Sequence, residues 1–409
     1  MKPCLLSLLF LSPLLSFAGD SSPSKFERKQ LTDEFWSEGA HIGDFNKDGK
    51  NDIVSGPFWY EGPAFTSRHE YMPLPVTTYK TKEGQEKAGY DPHGYSKNFL
   101  AYTYDINQDG WTDILILGFP GEESSWYANP QGKPGHWEKH VFLKITDNES
   151  PTFTDITGDG KPEVICNSEG YFGYAEPDWS DPRKLWTFKR ISPKGPWQRF
   201  THGLGVGDVN GDGKMDLLEV GGWWEQPASL DGNPEWKKHN HQFGIGGAQM
   251  YAYDFDGDGD NDILTSLAAH GFGLAWYEQV KEGDTIRFKE HIFMNKEPQE
   301  NKYGVKFSQL HAIDLVDMDG DGIKDIITGK RYWAHGPTGD AEPNAEPVLY
   351  WFQTKRGGPE KVDFVPHQID NNSGIGTQVL AADVNGDKRP DVVVGNKRGT
   401  FLFLRAKQD

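Results

Sequence analysis

Asp317-Met-Asp319-Gly-Asp321-Gly322-Ile-Lys-Asp325, running straight into Ile326-Ile327, is the stretch on which the reading of this chain turns. Side-chain oxygens stand at its positions 1, 3, 5 and 9, and a backbone oxygen near position 7 can join them. That set can wrap a hard cation at about 2.3–2.6 Å. Glycine at position 6 permits the left-handed backbone of a tight turn. An EF-hand would need Glu at position 12 and helices on both sides. Position 12 is Thr328, and the residues after Asp325 are β-branched, so the loop joins two strands.

Working outward, the pattern recurs six times. The copies are Asp44, Asn46, Asp48, Asp52; Asp105, Asn107, Asp109, Asp113; Asp155, Thr157, Asp159, Glu163; and Asp208, Asn210, Asp212, Asp216. Asp254, Asp256, Asp258, Asp262 precede the quoted stretch, and Asp383, Asn385, Asp387, Asp391 follow it. First positions are spaced by 61, 50, 53, 46, 63 and 66 residues. Only Glu219, in the fourth copy, puts Glu at position 12. Lys388 replaces glycine in the seventh copy, where a left-handed backbone costs roughly 1–2 kcal/mol. The loops expect up to seven structural Ca²⁺, held best by the fifth and sixth copies with four Asp each.

Each loop sits in a larger cassette. An outer-strand pattern (Trp137-Glu-Lys-His140, Phe288-Lys-Glu-His291, Phe364-Val-Pro-His367) leads through glycines to an inner strand and the loop. A second apolar strand and an aromatic third strand follow, as in Trp59-Tyr60-Glu61, Trp126-Tyr127, Trp223-Trp224-Glu225, Trp276-Tyr277-Glu278 and Tyr350-Trp351-Phe352. Four strands in each of seven cassettes predict an all-β, seven-bladed β-propeller, with its calcium loops between the first and second strands of each blade. Phe26-Glu-Arg-Lys reads as an outer strand with no blade before it, and the last cassette stops after Thr400-Phe-Leu-Phe403. The N-terminal strand is therefore expected to complete blade seven.

Over roughly residues 26–409 the sequence resembles the FG-GAP/VCBS repeat family, the calcium-loop propellers known from the N-terminal head of integrin α chains. The resemblance implies calcium on the underside of the blades. It leaves activity open, because such propellers serve as adhesion modules, carbohydrate-binding units and lyases.

Composition agrees with a turn-rich β protein: 48 Gly and 26 Pro, with 14 Trp, 16 Tyr and 24 Phe to build cores. The formal charge of −19 argues against nucleic acid, and 23 of the 61 acidic residues are loop ligands. Residues 1–18 read as a signal peptide: Lys2, the apolar stretch Leu5 to Leu15, then Ser16-Phe17-Ala18. No segment is long enough to span a bilayer, so we expect a secreted or periplasmic protein, residues 19–409, forming one propeller. Only Cys166 then remains, as a buried small hydrophobe.

Of thirteen histidines, His69, His140, His239, His241, His291 and His367 share the outer-strand register and read as packing positions. His41, His93, His202, His270, His311 and His335 fall in segments opening on the face opposite the loops. His202 and His311 each stand six residues before a loop, at Asp208 and Asp317. Equivalent positions converge on a propeller's funnel, so His202, His270 and His311 are the candidate ligands of a Zn²⁺ ion. His93, Tyr303 and His335 are candidate acids, bases or further ligands. Ala269-His270-Gly271 and Leu310-His311 with the following loop are similar to pieces of aldos-2-ulose dehydratase, which implies zinc in a propeller cleft and loss of water from keto-sugars. Its cupin domains are absent here.

Lys97, Arg199, Lys306, Lys330, Arg331, Lys397 and Arg398 crowd the same loops, and Lys97, Arg199, Arg331 and Arg398 are the candidate contacts to an anionic sugar. Tyr95, Tyr303 and Tyr332 could stack on sugar rings. Three insertions, Thr78 to Asn98, Asn295 to Ser308 and Ala334 to Pro347, are expected to overhang the funnel. The expected function is binding of carbohydrate, a keto-sugar or anionic glycan, at the non-calcium face. The rivals are a metal-dependent sugar dehydratase or polysaccharide lyase, and an integrin-like module for an extracellular protein ligand.

Overall fold

Position 9 of every acidic loop opens a strand, because the β-branched residues behind it pack on both faces. In the computed structural model these strands are wholly buried: Asp52–Ser55, Asp113–Leu117, Glu163–Ser168, Asp216–Glu219, Asp262–Ser266, Asp325–Gly329 and Asp391–Asn396. The structure describes residues 25–406 apart from 76, 284 and 358–360. The expected signal peptide lies outside the described residues.

Around each buried strand the sheet order is inner strand, buried strand, aromatic strand, outer strand. The first group is His41–Gly43, Asp52–Ser55, Phe58–Tyr60 and Arg68–Glu70. Glu138–Thr154 is one 17-residue strand that serves as outer strand of the second group and, after a break in register, inner strand of the third. The inner strands of the fourth and fifth groups, Leu204–Gly207 and Gln249–Tyr253, pair in parallel. Gly205 permits this, since a Cβ there would sit 1.9 Å from the Met250 carbonyl oxygen.

The last group is Val379–Ala382, Asp391–Asn396 and Gly399–Arg405, completed by Phe26–Thr32 in antiparallel register from Phe26↔Arg405 to Thr32↔Thr400. The expected N-terminal closure is thus present. The cores lie between successive groups rather than within them. Ile156, Ile165 and Phe172 meet Leu204, Leu217 and Trp224, for example, and Ile53, Phe58 and Tyr60 of the first group meet Val384, Val393 and Leu402 of the last. That last cluster packs the first group against the last. Cys166 is fully buried in one such core, as expected.

The outer-strand histidines also behave as packing residues. His69, His140, His239, His291 and His367 lie directly across from Trp59, Trp126, Trp223, Trp276 and Trp351, with ring centroids 4.0–4.6 Å apart. Where Glu stands two residues after the Trp, the imidazole reaches it: His69 to Glu61 at 2.9 Å, His239 to Glu225 at 2.6 Å, His291 to Glu278 at 2.8 Å.

Candidate functional site

The loops are built first by their own hydrogen bonds. Position 1 accepts the N–H of position 6: Gly49 donates to Asp44 at 2.9 Å, Gly213 to Asp208 at 2.9 Å and Lys388 to Asp383 at 2.8 Å. Position 3 accepts the N–H of position 5, as in Asp48 to Asn46 at 3.1 Å. Position 9 is turned inward. Asp52 accepts N–H groups from Phe45 and Gly62, Asp216 from Val209 and Gln226, and Asp325 from Met318 and Thr354. Burial, opposed by those hydrogen bonds, raises Asp52 to about 6 and Asp113, Asp216, Asp262 and Asp325 to about 7. Position 9 therefore ties the loop to two strands as well as offering an oxygen to a cation.

Position 6 is left-handed as expected, and Lys388 adopts it with φ of 66°. Position 4 is left-handed too, which the sequence reading missed: Lys47 has φ of 62° and Gln108 59°, and the other copies use Gly. Three loops gather their acids within 4.8 Å of one another: Asp155, Asp159, Glu163; Asp254, Asp256, Asp262; and Asp317, Asp319, Asp325.

On the opposite face the three predicted histidines converge. One ring nitrogen from each of His202, His270 and His311 lies within 4.8 Å of the others, and the Nε2 atoms of His202 and His270 are 3.2 Å apart. His311 is 2% exposed, and neither of its ring nitrogens makes a well-formed hydrogen bond, the Gln309 backbone being the acceptor beside it. Burial, then the nearby Arg331, His270 and His202, push its pKa well below the usual value, so the ring is neutral.

Two residues of this site were not anticipated. Glu149 Oε2 lies 3.5 Å from His202 Nε2 and 3.9 Å from His311 Nε2. Asp340 Oδ1 lies 3.2 Å from His270 Nδ1 and 2.8 Å from His335 Nδ1. A signal for Glu149 was available: it stands six residues before Asp155, the offset His202 and His311 keep from their own loops. Glu38 has the same offset from Asp44, and it too points here, pairing with Arg331 at 3.1 Å. Asp340 carries no such signal, because it lies in the insertion after Ala334.

The floor is closed from below. Gln378 pairs through both side-chain atoms with the Ala101 backbone, Thr377 Oγ1 donates to the Phe99 carbonyl at 2.7 Å, and Gln249 Nε2 reaches the Thr377 carbonyl at 3.2 Å. The site opens upward instead, beside His335, whose ring stacks on His270 at 4.3 Å. Tyr95, Phe119 and Phe200 continue that wall, with centroids 5.1 Å and 5.8 Å apart in sequence.

Several predicted residues are placed elsewhere. Arg331 is not a rim cation: it is 1% exposed, between Glu38 and Glu149. Lys330 and Lys397 are buried as well, donating to Ser308 Oγ and the Trp333 carbonyl, and burial lowers both to about 8. The expected cationic funnel mouth is therefore withdrawn into the protein, because these side chains satisfy buried carbonyls and carboxylates. Lys97 pairs with Glu122 at 3.3 Å, Arg199 lies over Phe200, and Arg398 binds Asn372 and covers Tyr332. Tyr303 donates to Asp363 at the outer strand Val362–Asp370, in a groove with His291 and Phe364, and is not brought to the histidines. His93 binds Asp91 at 2.7 Å against Trp333. His41 is held in an inner strand by Thr103, away from the cluster.

Comparison with known proteins follows the same lines. Residues 105–166 match the FG-GAP-like repeat and residues 375–407 the FG-GAP repeat. Together with the sheet order, these matches support an FG-GAP repeat β-propeller. FG-GAP repeats generally bind calcium, and acidic clusters of that kind are present here. The resemblance to aldos-2-ulose dehydratase is not confirmed. No curated relative matches the chain. Among solved structures, an Agrocybe aegerita lectin recognising non-reducing terminal N-acetylglucosamine is 18% identical, with TM-score 0.47, over 86% of this chain and 81% of that one. The BBS1N–ARL6DN complex gives 10% identity and TM-score 0.49 over 95% and 99%, and rhamnogalacturonan lyase YesW 14% and 0.41 over 94% and 74%. At such scores these structures assign no activity. Among the described residues no helix is long and apolar enough to cross a membrane.

Proposed function

We propose that this chain is a seven-bladed, calcium-loop propeller that acts on carbohydrate at a divalent transition-metal centre in its funnel. The observation that carries the reading is His311: a wholly buried imidazole with neither ring nitrogen in a well-formed hydrogen bond, facing His202, His270 and Glu149 beside the Gln309 backbone. A buried polar group left without a partner costs about 1–3 kcal/mol, so such an arrangement persists when a ligand completes it. Three imidazoles and one carboxylate suit zinc and neighbouring first-row ions. When bound, such an ion polarises a carbonyl or hydroxyl oxygen.

The chain's own residues supply the rest. Asp340 orients His270, and His335, half exposed at the mouth, is placed to carry a proton to or from the substrate. Tyr95, Phe119 and Phe200 offer aromatic surface to the C–H faces of a sugar. With Lys330, Arg331 and Lys397 withdrawn, a neutral sugar fits the funnel better than an anionic one. The reaction class that uses a polarised oxygen beside a base is elimination, in which a C–H proton passes to the base, C=C forms, the C–O bond breaks and the base returns that proton to the departing oxygen, so that water or an alcohol leaves. A carbohydrate-binding role without chemistry would use the aromatic wall alone, and an adhesion role would use only exposed rim loops. Neither gives His311 a partner.

The loops hold structural calcium in this reading, residues 1–18 direct secretion or passage to the periplasm, and residues 19–409 form one closed propeller. Metal analysis of calcium-loaded protein should find a bound transition metal. His311→Ala should lose that metal together with elimination activity on keto-sugars and neutral oligosaccharides, read by ultraviolet absorbance of the unsaturated product. Protein that takes up no zinc, manganese or iron would overturn the metal centre. A melting curve indifferent to EGTA would overturn structural calcium.

A further inference from the structure

His270 faces two donor sets with its two ring nitrogens. Nε2 points to the His202 and His311 side, 3.2 Å from His202 Nε2. Nδ1 points the other way, to Asp340 Oδ1 at 3.2 Å and, through it, to His335 Nδ1, which is 2.8 Å from the same oxygen. One ligand atom from each of His270, His335 and Asp340 lies within 4.8 Å of the others. His270 Nδ1 is buried, and Asp340 is the carboxylate it faces. Donors about 2.0–2.1 Å from a tetrahedral ion stand roughly 3.3 Å apart. The His270–Asp340 separation of 3.2 Å is close to that edge length, and the His335–Asp340 hydrogen bond of 2.8 Å is shorter.

We infer that His270, His335 and Asp340 form a second divalent-cation site, bridged to the first through the imidazole ring of His270. The inference rests on the proposed centre at His202, His270 and His311 only in that both sites share His270. The two sites differ in access. His311 closes the inner one at 2% exposure, whereas the His335 side chain is 50% exposed and leaves the outer one open to the funnel. Three protein ligands and an open position is the pattern of a site that takes water or substrate as its fourth ligand. The outer ion is the more exposed of the two, and the inner one fixes the bridge.

Bridging has a proton consequence. A neutral imidazole has one N–H, so binding ions at both nitrogens releases that proton to the buffer. His335 keeps its own N–H by carrying it on Nε2 when Nδ1 binds the ion, so it serves as the proposed proton carrier only while the outer site is empty. Filling the outer site thus releases one proton more than an unbridged site would.

The test is zinc titration of the full chain at saturating calcium, read by metal analysis and by calorimetry in buffers of different ionisation enthalpy. Wild type should bind two zinc ions per chain, the second with release of a proton. Asp340→Asn and His335→Ala should each bind one, and His202→Ala should lose the inner ion. Loading with copper(II) should give a magnetically coupled pair, whose electron paramagnetic resonance signal is largely lost. One zinc ion in wild type, removed by His202→Ala and unaffected by Asp340→Asn, would overturn the second site and leave the first standing. No zinc at all would overturn both. Two ions insensitive to Asp340→Asn and to His335→Ala, or uncoupled copper, would overturn the bridge. His335→Ala lies on an exposed loop and guards against a folding failure of Asp340→Asn, with calcium-dependent melting as the control for both.

Discussion

His202 Nε2 and His270 Nε2 lie 3.2 Å apart, although the residues are 68 positions apart in the chain. Two such nitrogens either share one proton or turn both lone pairs to one cation. His311 beside them forms no well-formed hydrogen bond through either ring nitrogen, which favours the cation. Replacing His311 with Leu, an apolar side chain of similar size, separates these meanings. Metal-free His311→Leu should be as stable as metal-free wild type or about 1 kcal/mol more stable, because an unsatisfied polar group is removed. Zinc should raise the melting temperature of wild type by more than that of the variant, which keeps only the outer site. A metal-free variant destabilised by more than about 1 kcal/mol in urea unfolding would show that the imidazole has a protein partner.

The Trp–His pairs should rank by their third member. His239 stacks on Trp223 at 4.0 Å and reaches Glu225 at 2.6 Å, whereas His140 stacks on Trp126 with Ala128 in the place of the Glu. His239→Ala should cost about 1–2 kcal/mol and His140→Ala about half as much, since only the first loses a charge-assisted hydrogen bond. Chemical denaturation of the two variants checks the order.

His41 should make stability depend on pH. Burial, partly offset by the Ile42 carbonyl, lowers its pKa from 6.5 to about 4. The folded state therefore holds it neutral while the unfolded chain protonates first. Its contribution is present above pH 6.5 and is lost as pH falls toward about 4. The difference in unfolding free energy between wild type and His41→Gln should shrink by about 2–3 kcal/mol over that window. A constant difference between pH 7 and pH 4 would contradict this account.

Lys388→Gly should stabilise the seventh loop. The backbone there has φ of 66°, which a Cβ disfavours, and Arg389 already pairs with Asp387 at 2.6 Å nearby. A gain of about 0.5–1 kcal/mol is expected after the added freedom of glycine in the unfolded chain. Calcium should also bind this loop more tightly, which a competition with a fluorescent chelator would detect.

Removal of residues 25–33 should open the molecule. Phe26–Thr32 covers the edge of Gly399–Arg405, and Leu31 packs with Val393 and Leu402. The truncated protein should melt lower and associate through the exposed edge, seen by light scattering. Unchanged melting and a monomeric profile would mean that the N-terminal strand adds nothing to closure.

Much of this was legible in the residues. The acidic loops, the buried strand after each, the aromatic third strand and the missing outer strand supplied by Phe26–Thr32 are local patterns, repeated often enough to override chance. His202 and His311 were legible because equivalent positions in different repeats point to one centre, and His270 because its segment opens on the same face. The six-residue offset would have found Glu149 and Glu38 as well, had it been applied to every copy.

What the tertiary structure alone decided is which charges face solvent and which face each other. Arg331, Lys330 and Lys397 lie in polar, glycine-rich loops that read as a cationic rim, yet buried carbonyls and carboxylates from distant segments draw them inside. Asp340 reaches His270 and His335 because an insertion folds over the funnel, and insertions obey no repeat. Repetition along a chain specifies periodic backbone geometry, which short-range sterics and alternating burial enforce. Pairing between non-periodic side chains depends on distances across the ring, and only the closed fold sets those.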